Sequence, residues 1–271
     1  MPTALFISPH LDDAVFSAGG TMAALVDVGW RVVMATVFTR SVLNPVGFAL
    51  RCQTDKGLSP DADYLAIRRK EDAAAATKLG LEAADVHWLD LPEAPHRGYD
   101  DPKQLFAEIL EGDELMASQV ANRIAPLVVA ADIIFAPLGI GGHVDHVQVI
   151  RAIDALAPRV PVVRWFDTPY ILRLGEVPGG DLTCDVSATL DRKLDACAAY
   201  TSQLSFQFEG EGPMRERLSL AARRSAAGTG FIAVERFSCM LESTDSQAIC
   251  RANLLPMPPL VQSVSIDSER S

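Results

Sequence analysis

An imidazole and two adjacent carboxylates follow the first apolar segment of the chain, in the stretch SPHLDD. His10 and Asp13 are three residues apart, so a ring nitrogen and a carboxylate oxygen lie on the same side of a strand-to-helix turn. Such a pair suits a cation, whereas a phosphate would need the free backbone N–H groups of a glycine-rich turn. The later pair Gly19-Gly20 does not form the G-x-G-x-x-G pattern of a nucleotide site. The turn is therefore a candidate metal site.

A second polar cluster, HVDH, supplies three more groups of this kind: His143, Asp145 and His146. With His146 as third ligand, His10 and Asp13 form a two-histidine, one-carboxylate set that leaves a position open for water, which is typical of catalytic zinc. Asp12 would then face the bound water as a general base. Each motif alone is also compatible with a helix cap and a surface histidine. Their joint occurrence in a chain with five histidines favours the metal.

These two clusters can meet only if the strands before them are neighbours in one sheet. The hydrophobic pattern predicts strands at 3–8, 30–39, 86–91, 132–139 and 159–172, the last running into a loop. It predicts helices at 19–29, 63–80, 143–156 and 103–131, the last with a break at 111–113. This alternation favours a Rossmann-like three-layer α/β/α fold with a mostly parallel sheet, in which ligands bind at the carboxyl ends of the strands.

The chain is long enough to bury one substantial core, and we expect a single domain over 1–240. Its core would span 1–170, and a C-terminal elaboration at 171–240 would hold helices near 190–204 and 213–226 and a strand near 230–240. Residues 241–271 are rich in Ser, Pro and Gln, which predicts an extended or disordered tail. The segment 40–61 is expected to be a long loop. Five scattered cysteines without a C-x-x-C pair suggest neither a disulfide framework nor a thiolate zinc site.

The charge balance bears on the partners of the protein. Lys and Arg total 24 against 35 Asp and Glu, a net charge of −11, which opposes attraction to nucleic acid or anionic lipid. We therefore expect a small-molecule substrate, with no nucleic acid and no membrane as partner; a homo-oligomer stays open. The sequence shows no apolar stretch that could cross a bilayer and no signal peptide at its start, so the expected location is cytoplasmic.

The two motifs also carry a family resemblance. The segments PHLDDAVFSAGG and GGHVDHVQV resemble the two signatures of the LmbE-like, or PIG-L, family of zinc-dependent N-deacetylases, usually written P-H-P-D-D and H-x-D-H. Similarity continues through RRKEDAAAATKLGL, WLDLPEAPHR and WFDTPY. The resemblance implies a hydrolase that removes an N-acetyl or other N-acyl group from an amino sugar or a related small metabolite of secondary metabolism. The implied cofactor is Zn²⁺, or another divalent metal such as Fe²⁺.

The resemblance also assigns roles to the residues of the two motifs. It implies that zinc is bound by His10, Asp13 and His146, and that Asp12 takes a proton from the bound water. His143 would stabilise the oxyanion or protonate the leaving amine, and Asp145 would orient its ring. Together, Asp12, His143 and Asp145 form the expected catalytic group.

The sequence departs from the family pattern at three positions. Leu11 replaces the usual proline, and Ala14 stands where many members have glutamate; neither position is a ligand. Gly141 lies where some relatives carry a tyrosine that helps to hold the oxyanion. Tyr170 or Tyr99 would have to supply a phenol in its place, and the sequence leaves the choice between them open.

Three further residues are candidates for substrate binding, besides Tyr170. Arg68 matches an arginine that lies near the substrate in relatives, although a solvated helix arginine paired with Asp72 at i, i+4 explains it equally well. Arg97, in the loop after the third strand, would grip a hydroxyl or anionic group of the substrate. Asp167 lies past the fifth strand on the same rim, where the alternative role is a turn cap.

Three other functions compete with N-deacetylation. The same metal site would serve a hydratase that adds water to an unsaturated acid. A two-histidine, one-carboxylate set also suits an iron(II) oxygenase. A binding protein on this fold would have no use for a base such as Asp12.

Overall fold

The computed structural model describes residues 1–174, 180–239 and 260–262. Five parallel strands form the first part of the sheet, in the order β3-β2-β1-β4-β5. They are β1 (Thr3–Ser8), β2 (Arg31–Phe38), β3 (Val86–Leu91), β4 (Ile133–Pro137) and β5 (Val162–Trp165). Four of them read as near-continuous buried apolar runs, as strands covered on both faces do. The sequence predicted all five.

Three antiparallel strands extend this sheet beyond β5. They are β6 (Leu182–Asp185), β7 (Val234–Ser238) and β8 (Leu260–Gln262), and the full order is β3-β2-β1-β4-β5-β7-β6-β8. The sequence predicted β7 but not β6, which has four residues and two polar side chains. Residues 260–262 of the expected extended or disordered tail form a strand paired with β6; the rest of the tail lies outside the described residues.

Helices cover both faces of the sheet. They are α1 (Asp13–Asp27), α2 (Gly47–Thr54), α3 (Tyr64–Leu79), α4 (Met116–Val129), α5 (Val144–Leu156), α6 (Leu190–Cys197), α7 (Thr201–Phe208) and α8 (Glu211–Ser225). One core joins the β1 residue Phe6 to α1, α3 and the C-terminal helices. The other core joins its neighbour Ile7 to α4 and α5. Successive β1 side chains thus enter opposite cores, which confirms the three-layer α/β/α fold.

Several predicted helix boundaries were wrong. The predicted helix 103–131 is a 3₁₀ turn at Gln104–Phe106 followed by an irregular segment and then α4. That segment wraps the buried Tyr99, whose hydroxyl accepts from Leu110 N at 3.2 Å. In addition, α1 begins at Asp13 rather than at residue 19, α2 lies inside the predicted loop 40–61, and the predicted helix 190–204 is divided between α6 and α7.

A buried carboxylate fixes the C-terminal part of the chain to α1. Glu235 in β7 accepts from the backbone N–H groups of Gly20 at 3.0 Å and Thr21 at 2.8 Å, and from Lys193 Nζ of α6 at 2.6 Å. A Cβ at Gly20 would lie 2.8 Å from Val186 Cγ1, so only glycine permits this approach. The ion pair therefore joins α1, α6 and β7.

The strand order decides where the two motifs meet. β1 pairs with both β2 and β4, so the chain adds β2 and β3 on one side of β1 and then β4 and β5 on the other, and the strand order switches between β1 and β4. Open parallel sheets bind ligands at such a switch point, outside the carboxyl ends of the strands. α1 begins just after β1 and α5 just after β4, which brings SPHLDD and HVDH to the same crevice.

Two other expectations concern membranes and cysteines. Among the described residues, no helix combines the length and the apolar character needed to span a membrane. Cys52, Cys184 and Cys197 are free, whereas Cys239 takes part in a disulfide. The scattered spacing of the cysteines gave no sign of this disulfide.

Candidate active site

Three ligand atoms converge at the carboxyl ends of β1 and β4. His10 Nδ1 lies 3.2 Å from Asp13 Oδ2, and His146 Nε2 lies 3.2 Å from the same oxygen. All three ligand atoms lie within 4.8 Å of one another, and the three side chains are almost completely buried. The structure thus brings together the two histidines and the carboxylate that the sequence predicted as a metal site.

The protonation of His146 tests whether a cation fits there. Its Nδ1 donates to Asp167 Oδ1 at 2.7 Å, which turns Nε2 toward the Asp13 carboxylate. Nε2 is buried and has no hydrogen-bond partner within the described part of the chain. Burial by itself lowers the pKa of His146, but Asp13 and Asp167 raise it to about 9. The two carboxylates thus favour a positive charge at Nε2, and a divalent cation held between Nε2 and the Asp13 carboxylate would supply that charge.

Each histidine of this set is oriented by its own carboxylate. His10 Nε2 donates to Asp145 Oδ2 at 2.8 Å, and the Asp167 bond holds His146. The second oxygen of Asp167 accepts from Gly139 N at 2.8 Å and Ile140 N at 2.9 Å. Such partners select the tautomer that turns the free nitrogen toward a metal. Both oxygens of Asp167 are engaged within the protein, and contact of Asp167 with a substrate stays a prediction.

A second cluster, His10, His143 and Asp145, also has ligand atoms within 4.8 Å of one another. Its carboxylate is occupied, because Asp145 Oδ1 accepts from Arg97 Nη1 at 2.7 Å and Oδ2 accepts from His10. The Arg97 guanidinium holds the pKa of Asp145 far below its usual range despite burial. The cation that balances Asp145 is thus an arginine, which leaves the His10, Asp13 and His146 set for the metal.

The backbone at Asp12 is strained. Its φ of 149° lies in a region that side-chain-bearing residues rarely adopt, at a cost of about 1–3 kcal/mol. Asp12 Oδ2 accepts from Gln207 Nε2 at 3.0 Å and lies 3.3 Å from Arg68 Nη2. Burial raises the pKa of Asp12 to about 7, although the Arg68 charge opposes this shift. A carboxyl group with this pKa, next to a metal ligand, has the character of a general base.

Arg68 is buried beside Asp12 rather than solvated on α3. Its Nη1 donates to Glu93 Oε1 at 2.8 Å, and its Nη2 donates to the carbonyl of Leu11 at 2.9 Å. The alternative of an i, i+4 ion pair between Arg68 and Asp72 was wrong. The Asp72 carboxylate instead accepts from the hydroxyl of Tyr200, just before α7, and from the indole N–H of Trp88 in β3. Contact of Arg68 with a substrate stays a prediction.

Arg97 is likewise buried, with 6 % of its side chain exposed. Its Nε and Nη2 donate to the two oxygens of Asp113 at 2.8 and 2.9 Å, and its Nη1 donates to Asp145 and to the Pro92 carbonyl. The guanidinium is therefore engaged in the interior, and contact of Arg97 with a substrate stays a prediction. The Asp145 carboxylate serves His10 and Arg97, not the ring of His143 as expected.

His143 is held by the backbone instead. It is the N-cap of α5, and its Nδ1 accepts from Asp145 N at 3.1 Å. Burial lowers the pKa of His143 to about 3, and the N-terminal end of the helix also disfavours a positive charge. The ring is therefore neutral, and its single proton lies on Nε2.

The structure separates the two tyrosines proposed to replace a phenol at Gly141. Tyr170 packs directly over Gly141, where a Cβ would lie 3.0 Å from its ring. The rings of Tyr170 and His146 are 5.9 Å apart. Tyr99 is fully buried, and its hydroxyl donates to Asp113 Oδ2 at 3.0 Å. Of the two, Tyr170 lies beside the candidate metal site.

Comparison with known proteins identifies the family of the chain. Residues 5–157 match the family described as PIG-L: GlcNAc-PI de-N-acetylase. The chain belongs to the PIG-L family.

Relatives with established names include 2'-N-acetylparomamine deacetylase of Streptomyces fradiae, 31 % identical, with 83 % of this chain and 81 % of that protein covered. A second is 1D-myo-inositol 2-acetamido-2-deoxy-alpha-D-glucopyranoside deacetylase of Mycobacterium sp. strain KMS, 26 % identical, with coverage of 78 % and 77 %. The zinc-inhibited form of teicoplanin deacetylase Orf2 superposes with a TM-score of 0.72 at 25 % identity, with coverage of 97 % and 99 %. Membership among these deacetylases confirms the expected amide-hydrolysing enzyme.

Three residues of this PIG-L site escaped the sequence analysis: Glu93, Asp113 and Gln207. Glu93 and Asp113 sit in irregular segments, where a carboxylate has no periodic pattern to distinguish it. Gln207 contacts Asp12 across 195 positions of sequence, and nothing local marks it. The one available signal was charge balance, because two arginines expected near a buried site need carboxylate partners.

Proposed function

We propose that the chain is a zinc-dependent N-deacetylase that hydrolyses the N-acetyl group of an amino sugar or a related small metabolite. The observation that carries the proposal is the buried, unpartnered His146 Nε2 facing Asp13, with His10 on the same oxygen. The named relatives act on N-acetylated sugar compounds by their own descriptions, which supports the substrate class. A small-molecule partner and a cytoplasmic location stay predictions.

The three ligands would be His10 Nδ1, Asp13 Oδ2 and His146 Nε2. Zinc held there would lower the pKa of a bound water toward about 7 and polarise the acyl oxygen of the amide. Asp12 would accept the proton of that water. Arg68 and Gln207 both contact Asp12 Oδ2, so they fix the carboxylate and leave Oδ1 as the oxygen that takes the proton.

His143 has two proposed roles, and its hydrogen bonding favours one. Because Nδ1 accepts from the backbone, the neutral ring offers an Nε2–H donor. A neutral donor suits the developing oxyanion, and it is unsuited to delivering a proton to the leaving amine. We therefore assign His143 to the oxyanion. The protonated Asp12 is then the group that returns a proton to the amine, and Tyr170 is the phenol closest to this chemistry.

The test combines metal content with acetate release. The purified protein is analysed for bound metal and assayed on a panel of N-acetylglucosaminides. We expect zinc at one ion per chain and release of acetate. Asp12→Asn should keep the zinc and lose roughly 10²–10⁴-fold in kcat, because it removes only the base. His146→Ala should lose the zinc, and Asp132→Asn, a matched change at the opposite end of β4, should alter neither property.

Two outcomes would contradict the proposal. If Asp12→Asn and the native protein release acetate at equal rates, Asp12 is not the base. If the zinc-loaded protein releases no acetate from any amide but adds water to unsaturated acids, the hydratase alternative is correct.

A further inference from the structure

A cavity of about 330 Å³ lies beside the proposed site, between α1, α7, α8 and β7. Its walls are mainly apolar, with aromatic and aliphatic contributions from Phe16, Phe166, Phe208 and Leu218. None of these side chains belongs to the metal cluster. An apolar cavity of this size is large enough to take part of a small molecule.

Two contacts join this cavity to the reacting groups. Gln207 lines the cavity and donates to Asp12 Oδ2 at 3.0 Å. Ser17 also lines it, and its hydroxyl accepts from Thr168 N at 3.0 Å, two residues before Tyr170. Gln207 therefore contacts both the cavity and the proposed base.

The charges around the cavity are strongly one-sided. Arg173, Arg217, Arg224 and Arg236 line it, and the buried Lys193 is neutralised by Glu235. Arg217 pairs with Glu209 at 2.9 Å. Within 1–174 and 180–239, no carboxylate forms an ion pair with Arg173, Arg224 or Arg236, and of these three Arg236 donates to the carbonyls of Ser225 at 2.8 Å and Ala227 at 3.5 Å. This cluster stands out in a chain whose net charge is −11.

We propose that the cavity binds the part of the substrate that is not hydrolysed, and that this part combines an apolar group with a carboxylate or phosphate. This inference rests on the proposed N-deacetylase function. The apolar walls would remove hydrocarbon or aromatic surface from water, and the arginines would bind the anionic group. The same arginines would repel an extended polycationic substrate, so they select among N-acetylated compounds.

Binding is tested first, with three probes of equal chain length: octyl phosphate, octyl glucoside and octyltrimethylammonium. Titration calorimetry on the zinc-loaded protein should show octyl phosphate binding roughly tenfold more tightly than octyl glucoside, and the ammonium most weakly. The double variant Arg173→Gln/Arg224→Gln should remove most of the phosphate preference, because neither arginine is paired with a carboxylate of the described residues. Arg223→Gln is the matched control, because Arg223 neighbours Arg224 on α8 but does not line the cavity. Equal binding of the three probes, or a phosphate preference untouched by the double variant, overturns the proposal.

Kinetics then link the cavity to the substrate. Octyl phosphate should inhibit acetate release competitively, and an N-acetylglucosaminide with a 4-carboxyphenyl aglycone should have a lower KM than one with a 4-(aminomethyl)phenyl aglycone. Acetate release that is indifferent to aglycone charge and to octyl phosphate overturns this inference while the deacetylase function stands. Arginine-dependent phosphate binding without acetate release from any amide would instead contradict the deacetylase function and leave the cavity as an anion-binding apolar site.

Discussion

Replacement of Asp167 by asparagine tests whether the carboxylates behind the histidines set the metal affinity. Asp167 is buried. One of its oxygens accepts from His146 Nδ1, and the other accepts from Gly139 N and Ile140 N. Asparagine has one acceptor oxygen, so it cannot serve both sides. If the oxygen stays on the two backbone N–H groups, the amide NH₂ faces His146 Nδ1. The donor NH₂ then favours the tautomer of His146 that carries its proton on Nε2, the nitrogen that would bind the metal.

The expected loss follows from this choice. Loss of a carboxylate that orients a ligand histidine weakens metal affinity about 10–100-fold, or about 1.4–2.7 kcal/mol. If the amide instead rotates so that its oxygen accepts from His146 Nδ1, the loss of metal affinity should lie in the lower part of that range. The N–H groups of Gly139 and Ile140 then lose their acceptor. The cost in that case moves to protein stability, at about 1–3 kcal/mol for the buried groups left unpaired.

Competition with a zinc chelator, together with urea denaturation of the metal-free protein, measures both quantities. The sum of the two losses should exceed about 1.4 kcal/mol, whichever way the amide points. Asp132→Asn is the control, since Asp132 bonds Thr3 N at the far end of β4. Unchanged zinc affinity and unchanged stability in Asp167→Asn would refute the assignment of His146 Nε2 as a ligand.

Three further predictions follow from buried charges. Arg97→Gln leaves the Asp145 carboxylate without its cation and should weaken zinc binding. Arg97→Lys keeps the positive charge, so its loss of zinc affinity should be smaller. Equal losses for the two variants in the chelator assay would contradict this prediction. Glu235→Gln leaves Lys193 buried without a carboxylate, so unfolding should cost about 3–5 kcal/mol less and Tm should fall by roughly 5–20 °C in calorimetry; an unchanged Tm contradicts the importance of the pair. Burial raises the pKa of Asp72 to about 6, above its unfolded value, so its contribution to stability is fully present below about pH 4 and is lost as pH rises through about 6. Asp72→Asn should remove about 1.4 kcal/mol of stability change between about pH 5 and 8 in urea denaturation, and identical pH profiles would contradict the buried carboxyl.

Local pattern was enough to predict the parallel strands and the three residues of the candidate metal site. β1 to β5 are short apolar runs bounded by turns, and the segments of α1, α3 and α5 carry helix signals of their own. SPHLDD and HVDH follow two of these strands, so the rule that parallel strands end at one edge was enough to bring His10, Asp13 and His146 together. The elements that were missed lack such a signal: α2 lies in a segment of weak periodicity, and β6 is a four-residue strand paired with β7.

Sequence patterns could not identify side-chain partners that lie far apart in the chain. An arginine has the same letter whether it contacts substrate, solvent or a buried carboxylate, and only the tertiary structure showed that Arg97 binds Asp113 and Asp145. The choice of Tyr170 over Tyr99 was likewise decided by packing against Gly141.

The sequence by itself determined the type of sheet, the edge at which the chemistry lies and the three residues proposed to hold the metal, because strand periodicity and ligand spacing are local properties of the chain. The tertiary structure decided which carboxylate orients which histidine, where the arginines are engaged and that an apolar, arginine-lined cavity lies behind Gln207. Those features depend on side chains that burial forces together from distant segments, and a buried charge must find its partner wherever the fold places one.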